Sequence, residues 1–111
     1  MTHKLVTIVI PIFKRLNYLP EILRSVQAQD YPHIELIVSD NGQNGSSIHE
    51  VIEACYSRPF RFRQNKQTVD IPTHYQQLLS EAKGEYFIWI CDDDLISPNF
   101  ISELMSTLGT S

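Results

Sequence analysis

The chain has 111 residues, 42% of them hydrophobic, which is enough for one compact core and too few for two ordinary domains. Its 13 acidic and 9 basic side chains leave a formal charge of -4, which disfavours nucleic acid as a partner; Arg58, Arg61, Arg63 and Lys66 form only a local basic cluster. No apolar run approaches the roughly 20 residues that span a bilayer, and residues 1–4 are too short and polar to open a secretory signal, so the expectation is a cytoplasmic protein whose Cys55 and Cys91 are buried, reduced thiols.

Residues 5–12, LVTIVIPI, are β-branched and almost continuously apolar, as in a strand covered on both faces. Asn17 is positioned to cap a following helix in which Leu19, Ile22, Leu23 and Val26 share a face, with Pro20 tolerated in the first turn and an end near Asp30. A second apolar run at 34–39 stops at the polar, glycine-containing DNGQNGSS. Ser47 and Glu50 have capping-box spacing ahead of a helix with Ile48, Val51, Ile52 and Cys55 on its apolar face. Residues 60–63 alternate apolar and basic, as expected near a sheet edge.

Thr73 and Gln76 repeat the capping spacing for a third helix, with Tyr75, Leu78, Leu79 and Ala82 as its stripe and Gly84 at its end. Residues 86–91, YFIWIC, are apolar on both faces and predict an interior strand running directly into Asp92. Ser97 and Pro98 suit Ncap and N1 of a last helix whose inner face is Ile101, Leu104, Met105 and Leu108. The predicted fold is therefore α/β, a Rossmann-like parallel sheet with helices on both faces. Ligands in such folds bind beyond the carboxyl ends of the strands, which gathers residues 11–15, 40–45, 64–70 and 92–94 on one rim.

Three successive aspartates, Asp92, Asp93 and Asp94, repel one another unless they reach solvent or meet a cation. Oxygen ligands suit Mn²⁺ or Mg²⁺, and an ion with few protein ligands completes its shell with phosphate oxygens, so a nucleotide diphosphate is the natural partner. In isolation the triplet reads equally well as a solvated helix start. Asp40 also follows a buried strand; its carboxylate can accept from a base N–H or a sugar hydroxyl, or it can close an Asx-turn with Asn41 and Gly42.

The segments IVIPIFKRLNYLPEILRSVQAQDYPHIELIVSDNG and AKGEYFIWICDDDLISPNFI, in this order and spacing, resemble the nucleotide-sugar-binding portion of family 2 glycosyltransferases. The resemblance covers nearly the whole chain and implies the N-terminal half of an A-type transferase fold. It implies a single domain over residues 1–111 without the acceptor-binding half, which holds the catalytic base in that family. It also implies transfer of a sugar from a nucleotide-diphospho-sugar to an acceptor hydroxyl, with inversion. Asp40 and the wall of Pro11, Ile12 and Phe13 match the nucleotide-base site, Asp92 the acid near the donor ribose and phosphate, and Asp93, with the more variable Asp94, the metal-ligating positions of a DXD-type motif. Asp70 falls where some members place a basic residue near the nucleotide. Cys91 stands where many members carry an acid, which resembles bacterial surface-polysaccharide transferases acting on saccharide or lipid-linked acceptors, some of them peripheral at the inner face of the membrane.

A receiver-like domain would need an acidic pair where Pro11, Ile12 and Phe13 stand, and a nucleotidyltransferase would need a Gly-rich loop after the first strand. A non-catalytic nucleotide-sugar-binding module remains the alternative function. His74, near the ligand rim, reads as a surface or capping group. Half of a two-part fold would expose apolar area and self-associate.

Overall fold

The computed structural model describes residues 4–14, 16–91 and 95–109. Four strands alternate with four helices: β1 (Val6–Ile12), α1 (Leu19–Gln27), β2 (Ile34–Asp40), α2 (Ser47–Cys55), β3 (Phe60–Gln64), α3 (Ile71–Glu81), β4 (Tyr86–Trp89) and α4 (Phe100–Gly109). The sheet runs β3-β2-β1-β4 with every pair parallel, and Val6 stands opposite both Ile34 and Tyr86.

The apolar runs of β1 and β2 lie in the middle because each is covered twice. Val6, Ile8, Ile10 and Ile12 pack with Leu36 and Val38 against Ile22, Leu23 and Val26 of α1, Ile48 and Ile52 of α2, and Ile101 and Met105 of α4. On the opposite face Val9 and Ile37 meet Leu78 of α3, flanked by Phe87 and Trp89. The expected α/β sheet with helices on both faces is the fold observed.

Several local expectations change. β4 is not interior: among the described residues it pairs with β1 alone, and all four of its residues are only half-buried. Two apolar faces specify cover above and below a strand but say nothing about partners beside it. Cys91 is exposed and Cys55 half-buried, so neither thiol is sealed in the core.

Helix starts also differ. No side chain caps α1, whose Ncap is Tyr18 rather than Asn17, or α2, whose Ncap is Ser46. α1 stops at Gln27, three residues before Asp30. For α3 the cap is Asp70, whose Oδ1 accepts from the Thr73 backbone N–H at 3.0 Å; Thr73 is the receiver, not the cap. At α4 the first-turn donor of Ile101 is met by Gln29 Oε1 at 3.0 Å, while Gln29 Nε2 donates to the carbonyls of Ser25 (3.0 Å) and Ser97 (2.7 Å).

Gly84 has a reason other than helix termination. A Cβ there would lie 2.6 Å from both the N and Oγ1 of Thr7, because the turn after α3 presses against β1. The Gly84 N–H donates to Thr7 Oγ1 at 2.8 Å, and the Thr7 hydroxyl donates to Glu35 Oε1 at 2.7 Å.

Candidate functional site

The parallel strands deliver their carboxyl ends to one rim, where a cleft of about 480 Å³ opens. Pro11, Ile12 and Phe13 form one wall at the end of β1. Asn41 enters from the end of β2, Thr68, Val69, Asp70, Ile71 and His74 from the β3–α3 loop and first turns of α3, and Trp89 and Cys91 from the end of β4. Phe13 and Ile71 stand half or more exposed at the mouth.

The wall is held rigidly because the loops after β1 and β2 are stapled together. A Cβ on Gly42 would fall 1.8 Å from the Phe13 carbonyl oxygen, so only glycine fits there. Lys14 Nζ donates to the Gly42 carbonyl at 2.5 Å, and Asn44 Nδ2 donates to the Phe13 carbonyl. Gln43 and Gly45 complete the turn with left-handed φ values of 54° and 86°.

Asp40 organises that turn from beneath. Its residue is fully buried, and its carboxylate accepts four hydrogen bonds: Gly42 N–H (2.9 Å) and Asn44 Nδ2 (2.8 Å) on Oδ1, Asn44 N–H (2.8 Å) and Gln64 Nε2 (3.1 Å) on Oδ2. Burial alone would raise its pKa; the two backbone donors and the amides of Gln64 and Asn44 outweigh it and hold the carboxyl below the usual range. The geometry is that of the Asx-turn, with the charge facing inward, and Asn41 takes the place on the cleft wall.

Behind the cleft lies a polar network that sequence reasoning did not anticipate. Asn41 Oδ1 accepts from Asn65 Nδ2 (2.9 Å) and the Val69 N–H (3.0 Å), and its Nδ2 donates to the Val69 carbonyl (2.8 Å). Arg63 donates to Ser39 Oγ at 2.9 Å and pairs with Glu81 at 2.8 Å. Ser39 Oγ lies 2.7 Å from His74 Nε2. His74 is therefore no surface group: it is 4% exposed, edge-on to Trp89 with ring centroids 5.9 Å apart. Burial and the Arg63 charge lower its pKa, with Asp40 opposing, so it is neutral at pH 7. The other arginines of the basic cluster are spent on the fold: Arg58 donates to the carbonyls of Gln27, Gln29 and Tyr31, and Arg61 to that of Glu81.

Of the anticipated site residues, Pro11, Ile12, Phe13 and Asp70 line the cleft and Asp40 supports it. Asp92, Asp93 and Asp94 lie outside the described residues, directly after Cys91 at the cleft edge. Asn41, Thr68, Val69, Ile71, His74 and Trp89 join them; the i, i+4 pairing of His74 with Leu78 was the available signal for an inward-facing histidine.

A family model described as Glycosyl transferase family 2 matches residues 7–110. The chain belongs to this family. A Rickettsia bellii protein named an uncharacterized glycosyltransferase is 32% identical over 107 residues, covering 96% of this chain and 15% of that protein. Among solved structures, Staphylococcus aureus TarS (residues 1–349) in complex with UDP-GlcNAc superposes with a TM-score of 0.81 at 19% identity, covering 96% of this chain and 31% of TarS. The mannosyltransferase PcManGT of Pyrobaculum calidifontis, in complex with GDP-Man and Mn²⁺, gives 0.73 at 20% identity over 86% of this chain and 29% of that one. These structures share the fold of the family 2 chain, which spans a third or less of each relative's length. No helix among its described residues is long and apolar enough to cross a membrane.

Proposed function

We propose that the cleft holds the nucleotide of a nucleotide-diphospho-sugar for transfer of the sugar to an acceptor hydroxyl, in bacterial surface-polysaccharide synthesis. The observation that carries this reading is the convergence of Pro11, Ile12, Phe13, Asn41, Asp70 and Cys91 on one cleft, at the strand end that leads into the acidic triplet. The base lies along the Pro11–Phe13 wall, which Asp40 fixes in place from below. Asp70, which caps α3 through the Thr73 N–H, stands at the cleft edge beside the ligand.

Asp92 would serve the ribose and phosphates, and Asp93 with Asp94 would hold Mn²⁺ or Mg²⁺, since oxygen-only side chains suit such hard ions. When bound, the ion supplies positive charge against the departing nucleoside diphosphate. The acceptor hydroxyl, saccharide or lipid-linked, attacks the anomeric carbon from the face opposite the leaving group, inverting it. The general base and acceptor surface belong to sequence beyond the donor-binding portion, in keeping with the greater length of the relatives. The protein works where nucleotide sugars are made, in the cytoplasm, and meets lipid-linked acceptors at the inner face of the membrane.

The test is calorimetric titration of UDP, GDP, CDP and dTDP with and without Mn²⁺, on the chain and on Asp93→Ala. Metal-dependent binding of one nucleotide, lost in the variant, is expected; no binding by any of the four overturns the reading. Donor hydrolysis or transfer by the full-length gene product separates an enzyme from a binding module.

A further inference from the structure

Most polar atoms around the cleft are already occupied. Asp40 has four donors, and both ends of the Asn41 amide are engaged. His74 differs. Ser39 is fully buried, and the partners of its hydroxyl are Arg63, a donor at 2.9 Å, and His74 Nε2 at 2.7 Å. Arg63 can only donate, so the single hydroxyl hydrogen of Ser39 goes to Nε2. Nε2 is then the acceptor nitrogen, and the ring proton of the neutral imidazole sits on Nδ1.

Nδ1 makes no hydrogen bond within the described protein. Tyr56 Oη is the one fully buried side-chain polar atom without a partner among the described residues, so Nδ1 reaches open space. The space His74 borders is the cleft. Trp89 stands edge-on to the ring, and the lining of the cleft is mostly apolar, which leaves a fixed N–H donor with few polar neighbours. A hydrogen bond in such a setting discriminates strongly, because a second donor placed opposite would leave two buried N–H groups unmet.

We propose that His74 is a specificity-determining residue of the donor site, giving its Nδ1–H to the C4 carbonyl oxygen of a pyrimidine base and thereby favouring a keto group at that position over an amino group. This rests on the cleft being the nucleotide site. Ser39 and Arg63 act as positioning residues, since they set which ring nitrogen carries the proton.

UDP and CDP are suitable probes because they match in shape and differ at the C4 oxygen or amino group and the proton on N3. With Mg²⁺ present, the chain is expected to bind UDP about 3- to 10-fold more tightly than CDP, the range of one hydrogen bond. His74→Phe keeps a ring against Trp89 but cannot donate, and should bring the two within about twofold. Imidazole ¹⁵N spectra of the unsubstituted chain should show the proton on Nδ1, and UDP but not CDP should move that N–H resonance downfield. A proton on Nε2, or a UDP resonance identical to that with CDP, overturns the proposal whether or not His74→Phe folds. An unchanged UDP preference in a folded His74→Phe overturns it while leaving the donor site standing; failure of every nucleotide to bind overturns both.

Discussion

Replacing Asp40 by Asn separates a carboxylate that holds a loop from one that touches a ligand. The carboxylate receives two donors on each oxygen, and each pair contains one backbone N–H: Gly42 on Oδ1 and Asn44 on Oδ2. Asparagine offers one acceptor oxygen and one NH₂, so either orientation sets its NH₂ against a backbone N–H that cannot turn away. The side-chain donor beside it can flip only by giving up its other bond, Asn44 to the Phe13 carbonyl or Gln64 to the Gly45 carbonyl. Two hydrogen bonds to a charged acceptor are lost at about 1.5–3 kcal/mol each, or about 3–6 kcal/mol together. Small domains have about 5–15 kcal/mol in total, so Asp40→Asn should unfold far more readily. Urea denaturation at pH 7, followed by far-UV circular dichroism and the single tryptophan, Trp89, should show the midpoint falling by about 2 M for a slope near 2 kcal/mol/M. A variant within about 1 kcal/mol of the parent that has lost nucleotide binding would refute the structural role and return Asp40 to the ligand.

Acidification should expose the same carboxylate. Its pKa is lowered in the fold, so its stabilisation is complete above the unfolded value of about 3.9 and disappears as pH falls through the folded one; Asp40→Asn should lack that acid-side slope. His74 has the opposite charge logic. Its folded pKa is also lowered, so the unfolded chain takes up the proton first, and stability is full above about pH 6.5 and declines as pH falls from there toward the folded value. Urea midpoints at pH 7.5 and 5.5 should differ more for the parent than for His74→Phe, and equal differences would show that His74 does not titrate this way. Gly84→Ala drives a methyl group against the β1 backbone at Thr7, and should cost about 1–3 kcal/mol of stability in the same assay; a neutral effect would show that the turn yields. Tyr75 and Leu79 remain exposed on α3, and among the described residues β4 pairs on one side only, so light scattering should detect self-association at high concentration, reduced in Leu79→Lys.

The central strands were legible because their burial on both faces leaves an uninterrupted apolar run, and Ile48 and Ile52 or Ile101 and Met105 mark inner helix faces through 3.6-residue spacing. What lies beside a strand leaves no such mark, and β4 was placed in the interior on the strength of its faces alone. Caps failed for a related reason. Asp70 lies three residues before Thr73, where two overlapping spacings competed, and the group serving α4 is Gln29, which no local window contains. The cleft rim followed from topology, so Pro11, Ile12, Phe13 and Asp70 were found. Asp40 left two readings open because a turn-closing acid and a ligand-binding acid have the same sequence appearance; its four donors show that it closes the turn.

The bonds of Gln29 reach the start of α4 from a distant part of the chain. Ile90 is buried in the main core and hydrogen-bonded to β1, Ile96 packs against the same core, and Gln29 grips Ser97 and Ile101. Ile90 and Ile96 are thus held on one solid body, and the entropy of bringing them together is settled when the domain folds rather than when a ligand arrives. A substitution in the turn between α1 and β2 can accordingly alter affinity at the far rim by loosening one anchorage. Random screens for weakened donor binding should recover changes at Gln29 without any contact between that residue and the ligand.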